Sequence, residues 1–185
     1  MLLFHSVPIK CVILDRDGVI NRDLPSSVRS IKEFEMLPGV PEAIAALNQK
    51  GVSVALATNQ AVVGRDELSH EDLDLIHQHM EEQLLQHQAH LDKIFSCTSC
   101  DDNHPDRKPR PGMLLKAMDF FKVGPEHTLF IGDALRDLTA AQRAGCHFSL
   151  VRTGKGLKSE AENAHLFREN QVLDDLRAVV ASLGA

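Results

Sequence analysis

The chain has 185 residues, 43% of them hydrophobic and 25% charged, with a formal net charge of −6. That length suffices for a sizeable core in one domain, expected over 1–185, and the acidic balance excludes a general nucleic-acid binder, which needs a basic face. No apolar run approaches the ~20 residues of a membrane span, and Met1 to Lys10 lack a secretory stretch, so a cytoplasmic protein with reduced cysteines and no membrane partner is expected.

Val12, Ile13 and Leu14 predict a strand buried on both faces, running into Asp15, Arg16, Asp17 and Gly18. Strands of open α/β sheets end where ligands bind. Two carboxylates there repel each other unless a cation or a shared proton relieves them. A divalent metal and an anionic substrate are therefore expected. Asp-x-Asp-Gly also fits a plain turn. A calcium loop needs further oxygen ligands and a twelfth-position glutamate between two helices, whereas Val19 and Ile20 follow Gly18 here.

Residues 21–35 are polar and predict a flexible loop over the site. Pro38-Gly39-Val40-Pro41 punctuates a helix start. Val40, Ile44 and Leu47 share one face of that helix, and Lys50-Gly51 closes it. Residues 52–58 are the next strand. Ser69 as N-cap, with Asp72 three positions on, opens a long helix over about 70–88. Its apolar stripe is Leu73, Ile76, Met80, Leu84 and Leu85, with His77, His79, His87 and His90 expected as solvated side chains. A short strand over 94–96 leads to an irregular loop over 97–111 and a helix over 112–122. Residues 128–132 form a strand ending at Asp133. A helix over 137–144 is closed by Gly145, a strand covers 148–151, and a terminal helix covers 172–183. Cys11 and Cys146 read as small core residues.

This alternation predicts an α/β fold: a doubly wound, mostly parallel sheet with helices on both faces and right-handed crossovers. No insertion is large enough for a separate cap domain, so loops should cover the site. Asp15 and Asp17, Thr58 and Asn59, the loop before Arg110, and Asp133 all belong at the carboxyl edge. There Asp15 suits a nucleophile forming an aspartyl-phosphate, and Asp17 suits the general acid and base. Asp15, Asp133 and a backbone carbonyl near Asp17 suit Mg²⁺. Thr58 can donate to phosphoryl oxygens, and Lys108 can neutralise the transferring group. Singly, Thr58-Asn59 also fits a strand-end turn, Lys108 a solvated surface, and Asp133 a helix N-cap.

DRDGVIN, LATNQ, RKPRPGM and FIGDALRDL resemble the four motifs of the haloacid dehalogenase superfamily. The resemblance spans about 9–155 and implies a Rossmann-like phosphatase with the roles just given. It also assigns Asp137 a second acidic position that orders the loop or a metal-bound water. DRDGVIN, the run from Thr58 to Arg65, RKPRPGM and LVRTGKG resemble the subgroup of heptose 1,7-bisphosphate 7-phosphatases and histidinol-phosphate phosphatases. That implies a small phosphorylated sugar as substrate, cleaved at its 7-phosphate in ADP-heptose and lipopolysaccharide-core synthesis. Asn59, Arg65 and Arg107 would contact it. Histidinol phosphate, another phosphomonoester, or a receiver-like phosphate-binding module are the alternatives. Asp17 separates the last from an enzyme, because rapid acyl-phosphate turnover needs an acid/base. Members of this family often carry a zinc loop before Arg-Lys-Pro. Cys97, Cys100, His104 and Asp106 supply ligand types that zinc accepts, and a metal-free loop held by its own hydrogen bonds is the alternative. A monomer is expected.

Overall fold

A computed structural model describes residues 2–168 and 171–184; positions 1 and 185, the ends of the expected domain, lie outside them. The central sheet has six strands in the order β5-β4-β3-β6-β7-β8, every pairing parallel. These strands are β3 (Cys11–Leu14), β4 (Ser53–Asn59), β5 (Lys93–Cys97), β6 (Thr128–Gly132), β7 (His147–Val151) and β8 (Val172–Leu173). A small antiparallel hairpin, β1 (Leu3–Phe4) and β2 (Val7–Pro8), precedes them. Helices α1 (Val40–Gln49), α2 (Ala61–Gly64), α3 (His70–Leu85), α4 (Gly112–Phe121), α5 (Leu135–Ala144), α6 (Gly156–Asn163) and α7 (Leu176–Ser182) complete the fold.

Every residue of β3 is buried, as an apolar strand covered by helices on both sides must be. Alternate side chains enter two different cores. Val12 and Leu14 join a cluster with Ile44, Leu73, Met80 and Val179, under α1, α3 and α7. Cys11 and Ile13 join one with Met113, Leu114, Phe130 and Leu138, under α4 and α5. Phe130 is fully buried there, and its truncation to alanine costs about 3–5 kcal/mol. Leu14 pairs with Leu56 on one side and Ile131 on the other, so the ends of β3, β4 and β6 lie side by side. Asp15, Asn59 and Asp133 occupy those ends.

Several expectations change. Helix α3 stops at Leu85, which is 70% exposed rather than part of the stripe. The chain turns there, with the amides of His87 and Ala89 both donating to the Leu84 carbonyl. His77 is buried, not solvated, because it meets an internal arginine. Val172 and Leu173 are a strand, and the last helix starts at Leu176. Asp175 N-caps it by accepting from the Ala178 amide at 2.7 Å. Helix α5 begins at Leu135, two positions before Asp137. Helix α6 escaped the periodicity because it buries only Gly156 and Ser159. The 21–35 loop contains a short 3-10 turn, Ile31–Glu33, and is pinned to the core by Val28 and Phe34. No described helix is long and apolar enough to cross a membrane.

Candidate active site

The ends of β3 and β6, the first turn of α5 and the loop after β5 deliver three acids and a lysine into a nearly dry cluster. Oxygens of Asp15, Asp133 and Asp137 lie within 4.8 Å of one another. Lys108 reaches among them, with Nζ 2.8 Å from Asp15 Oδ1 and 2.8 Å from Asp137 Oδ1. Its ammonium also sits 5.2 Å from the Phe130 ring centroid, a cation–π contact beneath the cluster. Lys108 is thus buried, contrary to the ordinary fate of lysine. Burial alone would lower its pKa, but Asp137 and Asp15 raise it instead. Asn59 fixes its backbone: the Asn59 carboxamide donates to the Lys108 carbonyl at 2.9 Å and accepts from the Lys108 amide at 3.0 Å. Asn59 lines the cleft as expected, yet its polar atoms are engaged there.

Burial raises the Asp15 carboxyl pKa, Lys108 pulls it back, and Asp137 pushes it up again. Asp15 Oδ1 accepts from the Arg16 amide at 2.8 Å as well as meeting Lys108. That leaves Oδ2 as the oxygen able to attack. Burial, then Asp15 and Asp137, push Asp133 up to about 7. Asp133 Oδ2 accepts from the Lys155 amide at 2.8 Å, while Oδ1 is buried without a protein partner. This approach demands glycine twice. A Cβ on Gly18 (φ +87°) would lie 2.0 Å from Asp133 Oδ2, and one on Gly154 (φ +57°) would lie 2.2 Å from it. Thr153 ties the two glycine loops together by donating to the Gly18 carbonyl. Three acids around one lysine, with one orphaned carboxylate oxygen, fit a divalent cation.

Asp17 faces a different environment. Burial would raise its pKa, but Arg16, Asn21 and Gln60 together lower it. Arg16 Nη2 lies 3.1 Å from both carboxylate oxygens, Asn21 donates at 3.0 Å, and Gln60 donates at 2.9 Å. The Asp17 carboxylate is therefore engaged by three side chains outside the acid cluster, leaving its backbone carbonyl for a metal. Arg16 is itself fully buried and donates to His77 Nε2 at 3.4 Å. Burial, then Arg16, lower His77 to about 4, so the imidazole is neutral and accepts. Thr58 Oγ1 accepts from Gln60 at 2.8 Å.

A cavity of about 210 Å³ opens above Asp17 and Asn59, walled by the 21–35 loop and ringed by Arg65, Arg107, Arg136 and Lys155. A larger hollow of about 460 Å³, lined by Leu37, Glu42, His79 and His87, has neither Asp17 nor any of the four cations; chemistry, not size, picks the smaller one. Arg65 bonds to Glu67, Arg107 to Asp102, and Lys155 to Asp23. Burial works against Arg136, yet Asp137, Asp15, Asp133 and Asp23 raise its pKa. Sequence reading missed Arg136 and Gln60 as parts of the site. Arg136 stands one residue before Asp137 in FIGDALRDL, and Gln60 closes LATNQ.

The four expected zinc ligands are not brought together. Cys97 Sγ lies 3.6 Å from His104 Nδ1, but Cys100 points its thiol at the Ala61 carbonyl and Asp106 pairs with Lys116. Among the described residues, the Asp15, Asp133 and Asp137 group is the one that gathers three metal-ligand side chains. Ser99, Asp101, Arg107 and Arg110 make hydrogen bonds within the loop. All four cysteines are free thiols.

Comparison with known proteins adds three findings. Residues 23–145 match the model of the haloacid dehalogenase-like hydrolases, a span that begins after the Asp15–Asp17 motif. The D-glycero-beta-D-manno-heptose-1,7-bisphosphate 7-phosphatase of Bordetella bronchiseptica is 41% identical, over 95% of this chain and 98% of its own. That of Neisseria meningitidis is 39% identical, over 91% of each. The crystal structure of D,D-heptose 1,7-bisphosphate phosphatase from B. bronchiseptica, complexed with magnesium and phosphate, superposes with a TM-score of 0.87. It is 40% identical, covering 94% of this chain and 97% of the other.

Proposed function

Because this chain belongs to the haloacid dehalogenase-like hydrolase family, we propose that it removes the 7-phosphate of D-glycero-β-D-manno-heptose 1,7-bisphosphate. This is a step toward ADP-heptose and the lipopolysaccharide core. One observation carries the reading: a buried acid at the end of the central strand keeps one oxygen held by Lys108 and the other free, two residues before a second acid. Asp15 Oδ2 attacks phosphorus, the bond from phosphorus to the sugar oxygen breaks, and an aspartyl-phosphate forms. Asp17, once it has taken a proton from solvent on phosphate binding, gives that proton to the departing oxygen, then takes one from the water that hydrolyses the acyl phosphate. Arg16, Asn21 and Gln60 hold Asp17 ionised before substrate arrives. An incoming phosphate, as a like charge, raises its affinity for a proton. Thr58 donates to the phosphoryl oxygens and Lys108 stays on the nucleophile. Asp15, Asp133 and the Asp17 carbonyl would hold Mg²⁺, which when bound supplies charge neutralisation for the phosphoryl oxygens. Arg65 and Arg107, with Arg136 and Lys155, offer cations for the rest of a bisphosphate. The chain is proposed to act as a monomer.

Phosphate release should be measured with Mg²⁺ on both heptose 1,7-bisphosphate anomers, fructose 1,6-bisphosphate and histidinol phosphate. A kcat/KM for the β anomer about 100-fold above the others, or about 2.7 kcal/mol of discrimination, is expected. A preference for histidinol phosphate would replace the substrate. Stoichiometric phosphorylation without turnover would favour a receiver-like module.

A further inference from the structure

Gln60 is buried, lies between Thr58 and Asp17, and has so far figured only as one of the groups that hold Asp17 ionised. Its Nε2 donates to Thr58 Oγ1 at 2.8 Å and to Asp17 Oδ2 at 2.9 Å, while its Oε1 accepts from Arg16 Nη2 at 3.0 Å. A carboxamide can be turned end for end, but not here. Arginine only donates, and an ionised carboxylate only accepts. Turning the amide would set two donors and two acceptors against each other inside the protein, at a cost that buried polar groups do not tolerate. The orientation of Gln60 is therefore fixed by Arg16 on one side and Asp17 on the other. His77 in turn accepts from the far side of the Arg16 guanidinium.

This fixed amide has a consequence for Thr58. A hydroxyl carries one hydrogen and two acceptor sites. Gln60 fills one acceptor site, so the Thr58 hydrogen is not drawn toward Gln60 or Asp17. It remains available to a phosphoryl oxygen in the cleft. We propose that Gln60 is a positioning residue, whose two N–H groups aim the Thr58 hydroxyl hydrogen at the transferring phosphoryl group and hold Thr58 and Asp17 at a set separation. The inference rests on the roles given to Thr58 and Asp17 above.

The test is a cycle of kcat and KM on the heptose bisphosphate, with Gln60→Glu and Gln60→Leu each made alone and with Thr58→Ala. Glutamate has the shape of glutamine but replaces both donors with an acceptor, which turns the Thr58 hydrogen away from the cleft. Leucine removes the donors and leaves the hydroxyl free to rotate. Gln60→Glu should lower kcat about 100-fold and Gln60→Leu about 10-fold, the two differing in KM by less than about threefold. In the Thr58→Ala background the gap between them should shrink to within about threefold, because the hydroxyl they steer is gone. A gap of the same size in both backgrounds, or a Gln60→Glu protein with more than half the parent kcat, overturns the proposal. Should Gln60→Glu fail to fold, Gln60→Leu carries the test alone: an equal loss of kcat with and without Thr58 is the overturning result. Thr58→Ala and Asp17→Asn alone separate the two levels. Undiminished turnover in either would overturn the catalytic roles themselves, whatever Gln60 does.

Discussion

At the floor of the cleft, the side chains of Lys108 and Asp15 are 0% and 6% exposed; at its mouth, those of Arg107 and Asp102 are 21% and 91% exposed. The residue types and the separations are alike, and the physics is not. On the floor each charge has given up its water, so removing one partner strands the others. At the mouth, solvent and salt screen each pair, and a partner can be exchanged for a ligand at little cost. The floor can therefore fix the chemistry while the mouth sets which ester is admitted.

Three substitutions put that contrast at risk, the most damaging first. Asp15→Asn should reduce phosphate release by about 10⁴-fold or more. Asp17→Asn should cripple turnover and let a phosphorylated protein accumulate, visible by intact mass. Wild-type rates in either would end the assignment. Lys108→Met leaves Asp15 and Asp137 without their shared cation and should cost about 3–5 kcal/mol in urea unfolding, partly restored by Mg²⁺. A loss under about 1 kcal/mol would mean the floor behaves like the mouth.

His77 sharpens the comparison at the edge of the buried network. Its folded pKa, about 4, lies below the ordinary histidine value of 6.5, so the unfolded chain binds the proton first as pH falls. The stability tied to neutral His77 is fully present above about 6.5 and is lost as pH drops toward 4, a total on the order of 3 kcal/mol. Subtracting the pH–stability curve of His77→Leu should reveal that slope; a flat difference would show the imidazole is not held neutral. Arg107→Ala, at the mouth, should raise KM about 10-fold, leave kcat within about twofold and change unfolding by less than about 1 kcal/mol. A fall in kcat with KM unchanged would move Arg107 to the reacting end of the substrate.

The parts of the site that sequence made legible share one property. Asp15, Thr58 and Asp133 each follow an apolar run, and a parallel sheet has one carboxyl edge on which all three must meet. Lys108 rides on an irregular loop, so only its motif marked it; its backbone is held by Asn59, 49 positions away in sequence. Gln60 and Arg136 are polar residues beside stronger signals, and their value lies in side-chain direction, which periodicity does not carry. The zinc expectation counted ligand types without knowing that Cys100 turns toward the Ala61 carbonyl. Leu85 continued the spacing of its helix past the point where the core ends. His77 looked like its solvated neighbours because its partner, Arg16, lies 61 positions earlier.

The loop after β7 has a consequence for when this protein becomes active. The nucleophile strand is made before the loop that completes its site: Asp133 is braced by the Lys155 amide and by a glycine at 154, and Thr153 fastens the Gly18 turn. A growing chain halted before these residues leave the ribosome would hold Asp15 and Asp17 without the brace on Asp133. Phosphatase activity thus doubles as a mark that the chain has been made through Lys155.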